Sequence, residues 1–83
     1  MKTAIFDEMV FGHKLVMWRD KRANGEVWFT VISSIEPLCN GCVCSTQERK
    51  EAYDALKNAA KDIVSYEITR YNTQHGIEMD ANL

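Results

Sequence analysis

Three cysteines within six residues, Cys39-Asn40-Gly41-Cys42-Val43-Cys44, form the cluster whose types and spacing most suggest chemistry. Zinc takes four ligands, usually as two separated pairs, so His13 or His75 would have to complete such a site. A reversible disulfide is the second reading, with Cys39 and Cys42 facing each other across a turn. In the third, Cys42 and Cys44 share one face of a strand and pack as small buried residues, as free cysteines commonly do. The third reading asks for no fourth ligand and is the expectation taken forward, so no metal or cofactor is expected. A thioredoxin-like site is excluded, because its Cys-x-x-Cys opens a helix behind a βαβ unit rather than sitting at an Asn-Gly turn.

Other chemistry finds less support. His13 and His75 are the only histidines. Neither the dinucleotide-binding nor the P-loop glycine pattern occurs. Asp7 and Glu8 are neighbours in sequence and therefore point apart on a helix or a strand. Ser33-Ser34 have no histidine beside them to activate a hydroxyl. No catalytic residue is assigned, and a non-enzymatic protein is expected.

The elements that would position these residues are marked by turn and cap signals. Asn24-Gly25 and Asn40-Gly41 are the strongest two-residue hairpin signal, since a type I′ turn needs positive φ at both central positions. Ser45…Glu48 has the form of a capping box ahead of an amphipathic run. Strands are read over 13–20 and 26–34, the second ending near Pro37. A third strand at Cys42-Val43-Cys44 leads into a helix from Thr46 to about Tyr71. Ala52, Leu56, Ala59, Ile63 and Tyr66 form its apolar stripe, widened by Tyr53, Ala60 and Val64. Residues 3–11 fit a short helix through Ile5/Met9 and Phe6/Val10, with an edge strand as the alternative. The expected architecture is α+β: a three-stranded antiparallel meander (13–45) with one long helix (46–71) packed on one face. A segment at 1–12 precedes it and a polar tail at 72–83 follows.

A two-residue loop at Asn24-Gly25 makes paired residue numbers sum to 49. Val16, Trp18, Val27, Phe29 and Val31 then meet the helix. The opposite face carries Leu15, Met17, Trp28 and Ile32. Met17, Trp28 and Ile32, rimmed by Arg19 and Lys21, become the candidate partner-binding surface, aromatic and aliphatic anchors in a basic border. The alternative is a nucleic-acid surface from Arg19, Lys21, Arg22, Arg49 and Lys50 beside the two tryptophans. A helix running past short strands leaves Val64, Ile68 and Tyr71 to be covered by residues 3–11, by a second copy or by a partner. Self-association as a homodimer is therefore expected through them.

Eighty-three residues suit one domain, and 46% hydrophobic with 27% charged residues is ordinary for a globular chain. A net charge of −2 gives no general pull toward nucleic acid or anionic lipid. No apolar run approaches the ~20 residues of a membrane-spanning helix. Two acids stand where a signal peptide would have its apolar core, and the cysteine count is odd. The expected location is the cytoplasm, that of a host cell if the protein belongs to a phage.

Two family resemblances rest on particular residues. Phe29-Thr30-Val31 followed by Arg49-Lys50-Glu51-Ala52 resembles the C-terminal part of a double-stranded-RNA-binding domain. That likeness implies phosphate-contacting positions at Arg49 and Lys50. Tyr53 stands where that family has its last lysine, and Glu48 and Glu51 add negative charge. Pro37-Leu38, Gly41-Cys42, Thr46 and Glu51-Ala52, within residues 13–66, resemble HicB-type antitoxin domains of partial RNase-H-like fold. That resemblance implies neutralisation of a protein partner without catalysis, as small phage and mobile-element inhibitors do. HicB-type proteins usually add a DNA-binding segment, for which twelve polar residues are too few.

Overall fold

Apolar residues alternate along the N-terminal half and recur every three or four positions after residue 49, so a sheet covered by a helix follows. The computed structural model describes residues 1–36 and 39–74, the side chain of Cys39 excepted. Its elements are β1 (Lys2–Val10), β2 (His13–Lys21), β3 (Val27–Ser33), β4 (Cys42–Thr46) and α1 (Arg49–Gln74). One 3-10 turn, Cys39–Gly41, precedes β4. The strands form an antiparallel sheet in the order β1-β2-β3-β4. The α+β class stands as expected, but the sheet has four strands rather than three.

The fourth strand is β1, where the spacing of Ile5/Met9 and Phe6/Val10 had favoured a helix. The register shifts between Ala4 and Phe6, so Ile5 is an extra residue that breaks the two-residue period. A spacing of four is also two strand periods, so Phe6 and Val10 share a face of β1 just as they would share a face of a helix. Phe11 and Gly12 close the β1–β2 hairpin with φ of 49° and 80°, a two-residue turn of the type usually built from Asn-Gly. An L-residue held there costs about 1–2 kcal/mol. Phe11 is nonetheless used, and its ring stands in solvent.

The β2–β3 connection corrects the expected register by one. The Arg22 N–H donates to the Glu26 carbonyl at 2.8 Å and the Gly25 N–H to the Arg22 carbonyl at 2.9 Å. Of the loop residues Ala23-Asn24-Gly25, only Gly25 has positive φ (89°), which is the three-residue hairpin geometry. The Asn24 side chain accepts the Glu26 N–H at 2.9 Å instead of taking a left-handed turn position. Pairs therefore sum to 48, as in Arg19 opposite Phe29. A one-residue slip turns every side chain of one strand over. Leu15 and Met17 join Phe29 and Val31 in the core, and Val16 and Trp18 move to the opposite face.

Helix α1 lies across the sheet on its Leu15–Met17 side. Its buried residues are Ala52, Leu56, Ala59 and Ile63, packed on Leu15, Met17, Phe29 and Val31, with Phe6, Val10, Val27, Ile35 and Cys44 at the margin. Tyr53 and Tyr66 remain exposed, so the stripe is narrower than the spacing suggested. The helix starts at Arg49 with Glu48 as its N-cap residue, the Glu48 carbonyl accepting the Ala52 N–H at 3.1 Å, and Thr46 rather than Ser45 orders the turn ahead of it. The Thr46 Oγ1 accepts the Glu48 N–H at 3.0 Å and donates to Glu51 at 3.0 Å. Ser45 instead pairs with Thr30 in the sheet. Asn72–Gln74, expected in the polar tail, complete the last turn. Gly41 brings the chain against β3: with φ of 87°, a Cβ there would lie 2.8 Å from the Ser33 carbonyl oxygen.

Candidate functional site

The helix covers one face of the sheet and leaves the other open, and strand register fixes what that open face presents. Trp18 lies opposite Thr30, Asp20 opposite Trp28 and Val16 opposite Ile32, which places both indoles diagonally across β2 and β3. Cys42, opposite Ile32, extends the strip onto β4, whereas the bulged Val43 turns to the helix side beside Ala59 and Asp62. Trp18, Trp28 and Ile32 are half-buried, while Val16 forms a nearly closed floor. A groove of about 480 Å³ runs between Lys14, Val16, Trp18 and Ile32 on one side and Ser34 and Asn40 on the other.

Each tryptophan is held by charge at its rim. The Lys2 Nζ stands 5.7 Å from the Trp18 ring and the Arg22 guanidinium 4.6 Å from the Trp28 ring, within the reach of a cation–π attraction. The Trp28 Nε1–H donates to the Glu26 carboxylate at 2.9 Å, which also accepts from the Gln47 amide at 3.4 Å. Asp20 lies 3.5 Å from the terminal ammonium and 3.9 Å from Arg22. Lys14 pairs with Asp7 at 3.2 Å. An indole has only two side-chain torsions, so little entropy is lost when a partner meets it.

The expected site residues separate on this framework. Trp28 and Ile32 stand on the open face. Met17 does not: it is 0% exposed in the core, because the true register points it at the helix. Arg19 and Lys21 follow Met17 on the helix side, opposite Phe29 and Val27, and do not rim Trp28. Trp18 and Val16 belong to the site in their place, hidden from sequence reasoning by the slipped register. Arg19, Lys21, Arg22, Arg49 and Lys50 gather at one end of the molecule, where β2 finishes and α1 begins. They are spread around that end, Arg22 on Trp28 and Arg49 5.7 Å from the Tyr53 ring. Asp20, Glu26, Glu48 and Glu51 interleave with them in sequence.

Cys42 and Cys44 do not share one face as expected: the bulge in β4 sets Cys44 opposite Val31 on the helix side and Cys42 opposite Ile32 on the open side. Cys42 and Cys44 are free and half-buried on β4. Burial, with the Glu51 charge and then Cys42 adding to it, pushes the Cys44 thiol up, away from a reactive thiolate. Among the described residues no group of three His, Cys, Asp or Glu side chains is arranged to hold a metal ion. The Cys39 side chain, Pro37 and His75 lie outside the described residues. The His13 Nε2 hydrogen-bonds the Glu67 carboxylate, and the ring meets Tyr66 edge-on at 5.5 Å. That bond, and after it the Arg70 charge, hold the Glu67 carboxyl below the usual carboxylate range.

Val64, Ile68 and Tyr71 line a second groove, of about 310 Å³, with Phe11 and Glu67. No helix among the described residues is long and apolar enough to cross a membrane. The sequence matches no family model, and neither a curated protein nor a solved structure is significantly similar to it.

Proposed function

We propose that this chain is a non-enzymatic binding protein that captures a partner protein on the open face of its sheet. One observation carries the reading: two tryptophans and Ile32 stand half-exposed over a floor of Val16 on the face opposite the helix, bordered by Lys2, Lys14 and Arg22. Central aromatic anchors inside a charged border are the usual anatomy of a protein interface. The likeness to antitoxin domains supports neutralisation of the partner as the mode of action, in the cytoplasm of a cell carrying a phage or mobile element. The strand β1 occupies the place where the double-stranded-RNA-binding resemblance calls for a helix, which favours the antitoxin-like reading.

The test is capture of the partner by wild-type protein and by Trp28→Ala and Trp18→Ala variants, each first shown to be folded. Loss of a central aromatic anchor should weaken binding by about 2 kcal/mol or more. A partner retained equally by both variants refutes the assignment of the face. The basic end of the molecule favours a second reading, nucleic-acid binding through Arg19, Lys21, Arg22, Arg49 and Lys50. A mobility-shift titration over duplex RNA, duplex DNA and single strands separates the two. Submicromolar binding whose affinity falls steeply with salt would establish the second reading in place of the first.

A further inference from the structure

The far end of α1 carries a surface that the partner-binding face does not use. Core contacts of the helix end at Ile63, and residues 64–74 continue for about 16 Å. Ala60, Val64 and Ile68 are spaced by four, forming the ridge that packs one helix into the groove of another. The β1–β2 turn brings Phe11 to this ridge: Phe11, Val64, Ile68 and Tyr71 surround one groove of about 310 Å³. Phe11 is 68% exposed, Tyr71 55% and Ile68 48%. The φ of 49° at Phe11 is one that asparagine or glycine would adopt with less strain. A large aromatic kept in an unfavourable conformation, and in water, points to a role outside the folded monomer.

We propose that a second copy of this chain covers this end, forming a two-fold dimer in which Phe11 of each copy enters the groove beside Ile68 of the other. The patch is self-complementary in the sense that a two-fold interface requires, since it holds both a projecting ring and a groove able to receive one. Its charged border favours a copy over a charged partner. Glu67 lines the groove and Arg70 pairs with it at 3.6 Å, so the charges cancel and two copies meet without like-charge repulsion. A partner of strong charge would be steered by a border of one sign.

Area sets the strength. With 150–250 Å² per aromatic side chain, the three exposed groups leave on the order of 300 Å² per copy. Two copies then bury on the order of 600 Å² of apolar surface, plus a polar rim. That lies below the roughly 1,200 Å² of a standard specific interface, in the range of weak and transient contacts. Sedimentation equilibrium from about 10 µM to 1 mM should show association with a dissociation constant in the upper micromolar range.

Two variants locate the interface. Ile68→Glu should raise the dissociation constant at least tenfold, by placing like charges across the two-fold axis. Phe11→Asn should raise it by a similar factor and also raise the monomer's Tm by about 4 °C or more, because the strained turn is relieved. A structural role for Phe11 would instead lower the Tm. Trp28→Ala, on the other face, should leave association unchanged, which keeps this result distinguishable from failure of the partner-binding reading. A strict monomer at 1 mM overturns the proposal. Association that survives both Ile68→Glu and Phe11→Asn overturns it as well.

Discussion

Met17→Ala is the sharpest test of which side of β2 forms the core. Met17 is 0% exposed, packed among Leu15, Phe29, Val31 and the helix residues above them. Truncating a buried methionine removes its transfer free energy and leaves a cavity, together worth 2–5 kcal/mol. Close packing on all sides makes about 3 kcal/mol a reasonable expectation here. A domain of this length has roughly 4–12 kcal/mol to lose, so the variant should fold but be visibly weakened. At 4–8 °C per kcal/mol for a chain of this size, Tm should fall by about 12–24 °C. With an m-value near 1 kcal/mol/M, the urea midpoint should drop by about 3 M. The companion variant Trp18→Lys keeps an aliphatic stem on the open face and its charge in water, and should cost about half as much or less. In the register that sums to 49 the order reverses, with Trp18 inside and Met17 in solvent. Urea unfolding followed by circular dichroism decides. Met17→Ala within about 0.5 kcal/mol of wild type, or Trp18→Lys more damaging than Met17→Ala, would refute the register and the site built on it.

Two further predictions concern polar groups. The Glu67 carboxyl is held low, first by its hydrogen bond with His13 and then by Arg70, so its contribution is present above its unfolded value and lost as pH falls through the folded one. Wild type should therefore lose Tm more steeply than Glu67→Gln on acidification from about pH 5 to 3, and parallel curves would show that the pair contributes nothing. The Ser33 Oγ is buried, at 2% residue exposure, with no hydrogen-bond partner among the described residues. Removing an orphaned hydroxyl lifts a desolvation cost, so Ser33→Ala should leave thermal stability equal or raise it by up to about 1 kcal/mol; a loss above that would reveal a bond to water.

The helix was readable because Ala52, Leu56, Ala59 and Ile63 repeat with its own period over three turns, and no local feature interrupts them. The strand β3 was equally open, its Val27-Phe29-Val31 alternation fixing that Trp28 and Ile32 face away from the helix. The failures have physical sources. Gly25 alone takes the left-handed position while the Asn24 side chain caps the loop, and one added loop residue was enough to exchange Met17 for Trp18. A spacing of four fits a strand face as well as a helix face, so Phe6 and Val10 could not tell the two apart, and Phe11-Gly12 is not a pair that announces a type I′ turn. With the first hairpin unseen, Phe11 could not be joined to Val64, Ile68 and Tyr71. Sequence periodicity carries the elements well; the assembly of a site depends on turn geometry, where one residue decides a face.

The placement of the two uncovered surfaces has a consequence for affinity. The tryptophan face lies across the sheet from α1, whereas the Phe11–Ile68 end lies on the helix side and beyond the first hairpin, so occupation of one leaves the other open. A two-fold dimer through the helix ends would present two tryptophan faces held at a fixed separation by rigid elements. Against a partner that is itself dimeric or repeated, the second contact becomes intramolecular, and avidity can exceed the single-site affinity by 10²–10⁴ without a new contact. A weak dimer serves this well. Monomers would remain at low concentration, and such a partner would supply the template that brings two copies together. Binding to a multivalent partner should therefore lose far more from Ile68→Glu than binding to a monovalent fragment of it. Trp28→Ala should weaken both.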